Sequence, residues 1–120
     1  MEHNRLEELM VECPALEVVR AGRNRIEQFK VGELVRVLRL EHNKLNQLPE
    51  LHLYNLEQVD MSHNQLTRIE GLKPLLLLKH LNLCYNRLSE LPPMAYFYLN
   101  HLDLAHNNLS SLTLMLLPCL

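Results

Sequence analysis

An asparagine recurs at nearly even intervals along this chain, with hydrophobic residues at fixed distances around each copy. In residues 35–48, VRVLRLEHNKLNQL, aliphatic residues occupy positions 1, 4, 6, 11 and 14 and an asparagine occupies position 9. The same pattern fits four more segments, at residues 16–29, 56–69, 78–91 and 99–112, and a partial copy opens the chain. Six asparagines share this place in the pattern: Asn4, Asn24, Asn43, Asn64, Asn86 and Asn107. Their spacing of 19 to 22 residues indicates a structural repeat.

Each copy predicts a short strand followed by a turn. Alternate residues of a strand point to opposite faces, so the aliphatic residues should face a core and the residues between them should face solvent. Strands of successive copies are expected to pair in parallel, about 4.8 Å apart. Each asparagine amide would bond the backbone groups that the turn leaves free, forming a ladder from copy to copy. The return paths are short, since only five residues separate Phe29 from Val35, and they should be extended or 3₁₀-like.

These elements predict an α/β fold of a particular kind. We expect a right-handed solenoid with a parallel β-sheet on its concave face and a mostly irregular or 3₁₀ convex face, because the strands pack more closely than the bulkier returns. The 120 residues suit a single domain over 1–120. It would comprise a partial repeat at 1–15 and repeats starting near residues 16, 35, 56, 78 and 99.

Neither end of the chain carries the polar cap that a solenoid needs to cover its apolar end. Met1 falls inside a repeat, and Leu112 is followed by TLMLLPCL. We expect either a fragment of a longer repeat protein, or ends that are covered by another subunit or by self-association.

Charge, hydropathy and cysteine content argue against several classes of protein. A net charge of −2 does not favour a non-specific nucleic-acid surface. The apolar run at residues 112–120 is about half of the roughly 20 residues that a membrane span needs, and the polar first residues do not resemble a signal peptide. Three widely spaced cysteines, Cys13, Cys84 and Cys119, argue against a disulfide framework or a zinc site. We therefore expect a cytoplasmic protein with no metal and no cofactor.

The outward residues of the strands are the candidate binding residues. One column across the predicted sheet is basic at its beginning and acidic or polar beyond, and two histidines lie beside it. The binding prediction comprises Arg20, Arg39, Asp60, His80, Asn82, His101 and Asp103. Arg39 and Asp60 are predicted cross-strand neighbours that would form an ion pair, whereas Arg20 beside Arg39 would cost stability. The alternative is a solvated face with no partner.

Two histidines, a cysteine and an aromatic cluster are further candidate functional groups. His42 and His63 directly precede repeat asparagines and, with Glu41 or Asp60, would be the ligands of a metal; the alternative is an exposed turn edge that tolerates polar residues. Cys84 is expected on the concave face, either as a reactive thiol or as an inert one. No catalytic set of a nucleophile, a base and an orienting group is evident. The aromatic residues 96–98 form a candidate convex patch.

The recurrent L-x-x-L-x-L-x-x-N-x-L-x-x-L pattern resembles that of the leucine-rich-repeat superfamily. Residues 66–72, LTRIEGL, are similar to the short repeats of the phosphatase-1 regulatory subunit class, and residues 78–86, LKHLNLCYN, are similar to those of scaffolds such as nischarin. Leu48-Pro49 and Leu91-Pro92 are closer to the typical class of repeat. The resemblance implies an intracellular arc that holds a protein ligand on its concave residues.

The sequence thus favours a non-enzymatic scaffold that binds another protein on its concave face. Two alternatives stay open. One is the targeting or regulatory arm of a larger enzyme, such as a phosphatase or a ubiquitin ligase. The other is a fragment of a receptor ectodomain, for which the Asn108-Leu-Ser110 tripeptide would be a glycosylation acceptor.

Overall fold

The chain forms short strands at the period that the sequence predicts. The computed structural model describes residues 5–11, 13, 15–48, 53–69, 77–90 and 99–109. It contains seven strands of three residues each: β1 (Glu8–Met10), β2 (Val18–Arg20), β3 (Gln28–Lys30), β4 (Val37–Arg39), β5 (Gln58–Asp60), β6 (His80–Asn82) and β7 (His101–Asp103). Within those ranges no residue is helical, and the parts of the returns that are described are extended or irregular rather than 3₁₀.

Five of the strands form one parallel sheet in the order β2-β4-β5-β6-β7. The register is the same at every junction, so that Arg20 pairs with Arg39, Arg39 with Asp60, and Asp60 with Asn82. The repeat period therefore places equivalent residues side by side. This parallel-strand solenoid confirms the predicted fold.

The aliphatic residues of the pattern form the core. The central residue of each strand from β1 to β6 is buried while its neighbours face outward, as alternation along a strand requires. In the copy at residues 35–48, four pattern residues have no exposed surface: Val35, Leu38, Leu40 and Leu45. Burying each such side chain contributes roughly 1.5–3 kcal/mol. In the first complete copy the smaller Ala21 fills the place of Leu40 and is equally buried.

The repeat asparagines join each turn to the preceding copy. The Asn64 amide donates to the carbonyl oxygens of Leu40, Met61 and Ser62 at 2.9–3.1 Å, and its Oδ1 accepts from the Leu45 amide at 3.0 Å. Equivalent bonds recur in the other described copies, at Asn24, Asn43, Asn86 and Asn107. Four of these asparagines, all but Asn107, are buried.

A second, two-stranded sheet forms on the return path at the beginning of the chain. β1 and β3 pair in parallel, with Leu9 opposite Phe29, and both side chains are buried. The sequence predicted an extended return here but not its pairing. Both strands lie four residues beyond their asparagine positions, so the repeat register brings them together.

Several predictions lie outside the described residues. They concern Asn4, the aromatic patch at residues 96–98 and the segment at 112–120, and the assignment of one domain to residues 1–120 also stays a prediction. For the part of the chain that is described, the structure contains no helix long and apolar enough to cross a membrane.

Replacing a ladder asparagine should destabilise the fold strongly. In Asn64→Ala the buried Leu45 amide loses its acceptor, whereas the carbonyl oxygens of Leu40, Met61 and Ser62 each keep a second donor. An unsatisfied buried amide costs about 1–3 kcal/mol and the lost amide hydrogen bonds add about 1 kcal/mol, so we expect a loss of roughly 2–4 kcal/mol. Urea unfolding of the full chain measures this free energy. Asn46→Ala is the matched control at an exposed asparagine, with an expected change within about 0.5 kcal/mol. Equal losses in the two variants would contradict the role of the ladder.

Candidate functional site

The seven predicted binding residues all lie on the outward side of the five-stranded sheet, called the strand face below. Its side chains come from the first and third positions of each strand, whose central residues point into the core. The third positions are cross-strand neighbours in sequence order: Arg20, Arg39, Asp60, Asn82 and Asp103. His80 and His101 are neighbours at the first position. Their role in binding stays a prediction.

A shallow depression of about 310 Å³ occupies the middle of the strand face. Five of the predicted residues line it, together with Gln58 and the strand centres Val59 and Leu81: Arg39, Asp60, His80, Asn82 and His101. Arg20 and Asp103 lie on the outermost strands and do not line it. The depression is therefore lined by a cation, a carboxylate, side-chain amides and two imidazoles.

The ion pair expected between Arg39 and Asp60 is absent, although the two residues lie opposite each other. Instead, Asp60 Oδ1 accepts hydrogen bonds from the Ser62 backbone amide at 3.0 Å and from the Ser62 hydroxyl at 2.7 Å. Aspartate side chains commonly bond the backbone two residues further on. The Asp60 carboxylate is thus held by the turn that follows it. The neighbouring Arg39 side chain is exposed.

The same side-chain arrangement recurs along the third-position column. Asn82 Oδ1 accepts from the Cys84 amide at 3.1 Å, and Asp103 Oδ1 accepts from the Ala105 amide at 3.0 Å. These bonds fix the acidic and amide groups of the strand face before any partner arrives. Fixed side chains lose less conformational entropy on binding.

His80 and His101 form the other row of the depression. Their ring centroids lie 6.2 Å apart and the rings are inclined by 38°, so the two imidazoles approach without stacking. Both side chains are exposed, and their nitrogen atoms are available to hydrogen-bond a ligand in the depression.

Cys84 resembles an inert thiol more than a reactive one. Burial raises the pKa of the Cys84 thiol, and the charges of Asp103 and Asp60 raise it further, against smaller lowering effects of hydrogen bonds with the Ser62 side chain and with the backbone of Cys84. A raised pKa keeps the thiol protonated at neutral pH, and the thiolate is the nucleophilic form. The environment thus favours the inert alternative.

The turns contain a feature that the sequence analysis missed. The residue before each described ladder asparagine has a left-handed backbone, with φ of 54–58°, although none of these residues is glycine: Arg23, His42, His63, Tyr85 and His106. Four of them stack ring on ring as a column that we call the ring column: His42, His63, Tyr85 and His106. The centroids are 4.1, 4.3 and 4.1 Å apart, with interplanar angles of 9°, 11° and 13°.

The ring column changes the interpretation of these histidines. The sequence offered a metal site or a polar turn edge, whereas face-to-face rings direct their edges outward and share no common centre. Among the described residues no group of three or more potential ligands could hold a metal ion. The available signal was the recurrence of ring residues at one position of successive copies.

A row of alternating charge, also missed, borders the strand face on its other side. The Arg36 guanidinium lies 3.6 Å from the Glu17 carboxylate and 3.4 Å from that of Glu57. All three residues directly precede a strand, so the register that aligns the sheet also aligns them. Such exposed pairs contribute little, about 0–1 kcal/mol each.

The pKa of His42 should respond to its neighbours in the ring column. Burial lowers this pKa below 6.5, and the charges of His63 and Arg23 lower it further, against smaller raising effects of Glu41 and Asp60. Because the folded pKa is below the unfolded one, the contribution of His42 to stability is complete above about pH 6.5 and is lost as the pH falls through the folded value.

We expect His63→Gln to move the pKa of His42 upward, because the substitution removes a stacked ring and a like charge. Titration followed by NMR measures this shift directly. His101→Gln is the control, since His101 stacks with no member of the ring column, and it should leave the His42 titration unchanged. A His42 pKa at or above 6.5 in the unaltered chain would contradict the assignment.

Two protein-family models match this chain, and both describe repeats of the kind that the structure shows. A family model described as "Leucine Rich repeats (2 copies)" matches residues 34–74, and one described as "Leucine Rich Repeat" matches residues 77–96 and 98–120. The matched segments together cover more than half of the chain. No curated protein and no solved structure matches it. The parallel strands, the asparagine ladder and these matches show that the chain belongs to the leucine-rich-repeat superfamily.

Proposed function

We propose that this chain is a non-catalytic module that binds another protein through its strand face. Leucine-rich repeats are in general protein–protein interaction modules. The observation that carries the proposal is the depression in the strand face, where charged and polar side chains border an exposed cavity above a close-packed core. A rigid surface with fixed polar groups binds with a small entropic cost.

The charges of the strand face define what a partner must offer. Arg20 and Arg39 are neighbours at one end and favour a carboxylate, which a guanidinium binds through two parallel hydrogen bonds. Asp60 and Asp103 favour a basic or donor group toward the other end. Charges in this arrangement would fix the orientation of the partner and accelerate its association more than they raise affinity. A few residues near the centre, around the depression, should carry most of the binding energy.

The local geometry supports a binding role over a catalytic one. Ser62 and His63 are adjacent in sequence, but the Ser62 hydroxyl donates to Asp60 while the His63 ring is stacked between His42 and Tyr85. A serine activated by a histidine requires a hydrogen bond between the two side chains. The Ser62 hydroxyl is instead committed to the turn of its own repeat.

The proposal is tested by exchanging the two charges at the centre of the strand face. An Arg39→Glu, Asp60→Arg variant keeps the net charge and reverses the local polarity. We expect a quantitative pull-down from lysate to lose the partners of the native chain by about tenfold or more, since two reversed contacts at about 1 kcal/mol each suffice. Circular dichroism first verifies that the variant is folded.

The matched control exchanges two exposed charges on the return paths, away from the strand face, in Arg68→Glu, Glu90→Arg. This variant also keeps the net charge and should retain the native partners. If the strand-face variant captures the same proteins as the native chain in the same amounts, the strand face is not the binding surface.

A further inference from the structure

A second surface of the molecule carries a concentration of positive charge that the proposed function does not use. The position directly after each ladder asparagine is exposed in all the described copies. Four of its six occupants are basic, and the other two, Gln65 and Asn108, are neutral; the basic ones are Arg5, Arg25, Lys44 and Arg87. We call these four residues the basic flank. No acidic residue occupies this position, although the whole chain has a net charge of −2.

The ring column lies next to the basic flank and adds hydrogen-bond donors to it. The two are separated along the chain only by the buried asparagine, so both lie on the side of the solenoid where the strands end. Arg23 precedes the ring column in the same position and is close enough for its charge to act on His42. The edges of the stacked imidazoles add N–H donors to the guanidinium and ammonium groups.

Backbone hydrogen bonds hold the basic flank in register. The Arg25 amide donates to the Leu6 carbonyl oxygen at 2.8 Å, the Lys44 amide to that of Ile26 at 2.9 Å, and the Arg87 amide to that of Leu66 at 2.8 Å. Arg25, Lys44 and Arg87 are thereby each fixed to the copy before them. Their side chains are exposed, and they form no ion pair with any carboxylate of the described residues.

A row of neighbouring like charges reduces the stability of the free protein, and an anionic partner would offset that cost. At about 4.8 Å per copy, the row from Arg5 to Arg87 spans about 19 Å, the length of about six residues in an extended chain. Acidic groups border it: Glu7 and Glu27 follow two residues after Arg5 and Arg25, and Glu41 and Asp60 are near the ring column. The positive surface is therefore a narrow strip.

We propose that the basic flank, with the ring column beside it, binds a short acidic segment of a partner protein in an extended conformation along the axis of the repeats. Carboxylates of such a segment would pair with Arg25 and Lys44 in successive copies and, beyond the neutral Gln65 of the next copy, with Arg87. A narrow strip on a chain of net negative charge suits a few local carboxylates better than a nucleic acid, whose continuous charge would also meet the acidic borders. This surface is separate from the strand face, so the two proposals are tested independently.

The test uses a fluorescent peptide of alternating glutamate and serine, about eight residues long, and the full chain at low ionic strength, where exposed charges are least screened. Fluorescence anisotropy should show saturable binding of this peptide and none of its lysine analogue. Lys44→Glu, Arg87→Glu should weaken binding at least about tenfold, because two contacts of about 1 kcal/mol become repulsive. His63→Ser interrupts the ring column and should weaken peptide binding about two- to fivefold.

Two further variants separate the local site from general charge. Arg68→Glu, Lys79→Glu changes the net charge equally at exposed residues outside the basic flank and the ring column, and should alter binding by less than about threefold. Lys44→Arg, Arg87→Lys keeps the charges and should retain binding. No saturable binding by the native chain, or equal weakening by both Glu variants, would overturn the proposal. Tighter binding of an oligothymidine of similar length through the same residues would overturn the assignment of an acidic protein segment.

Discussion

The amide of the repeat asparagine is the interaction on which the rest of this structure depends. Asn64 donates to Leu40 of the preceding copy and to its own turn, and it accepts from Leu45 of the preceding copy. One side chain thus satisfies buried backbone groups that no sheet hydrogen bond reaches. Each such hydrogen bond contributes a net gain of about 1 kcal/mol, whereas a buried backbone group left without a partner costs more. The asparagine therefore also disfavours turn conformations in which these groups would lack a partner.

Fixing the turn to the preceding copy also fixes the register of everything else. Strands pair at equivalent residues, aliphatic side chains meet in the core, and outward positions become columns that run along the solenoid. The strand face, the ring column, the basic flank and the Glu17–Arg36–Glu57 row are four such columns or pairs of columns. Neighbouring surfaces therefore differ sharply in chemistry, because each column takes its composition from a different position of the pattern.

The fold could be predicted because its determinants are periodic. Asn43 and Leu40 recur with their equivalents at a fixed separation, and the separation alone places the strand, the core and the turn. The placement of Arg39 and Asp60 as neighbours followed from the same spacing. These features need only the identity of a residue and its distance from the asparagine.

The features that the sequence did not predict depend on backbone dihedral angles and on the choice of side-chain partners, which the spacing of residues does not indicate. Histidine and tyrosine do not ordinarily indicate a left-handed backbone, so the φ of His63 and Tyr85, and the stacking that follows from it, were not evident. The Asp60 side chain bonds the amide and the hydroxyl of Ser62, two residues further along the chain, rather than the cross-strand Arg39. The pairing of β1 with β3 depends on the path that two returns take in space, which their amino-acid composition does not indicate.

The ladder has a mechanical consequence. In the five-stranded sheet, strand pairs and asparagine bonds join adjacent copies only, so a tension along the axis of the repeats passes through every junction in series. In a series arrangement the weakest junction determines the load that the whole stack bears. Ala21 offers fewer atoms to its neighbours than Leu40, Met61 or Leu83 does at the equivalent position, so its side chain supplies fewer dispersion contacts than theirs do. Among the described copies of that sheet, we therefore expect the copy that contains Ala21 to separate first under tension.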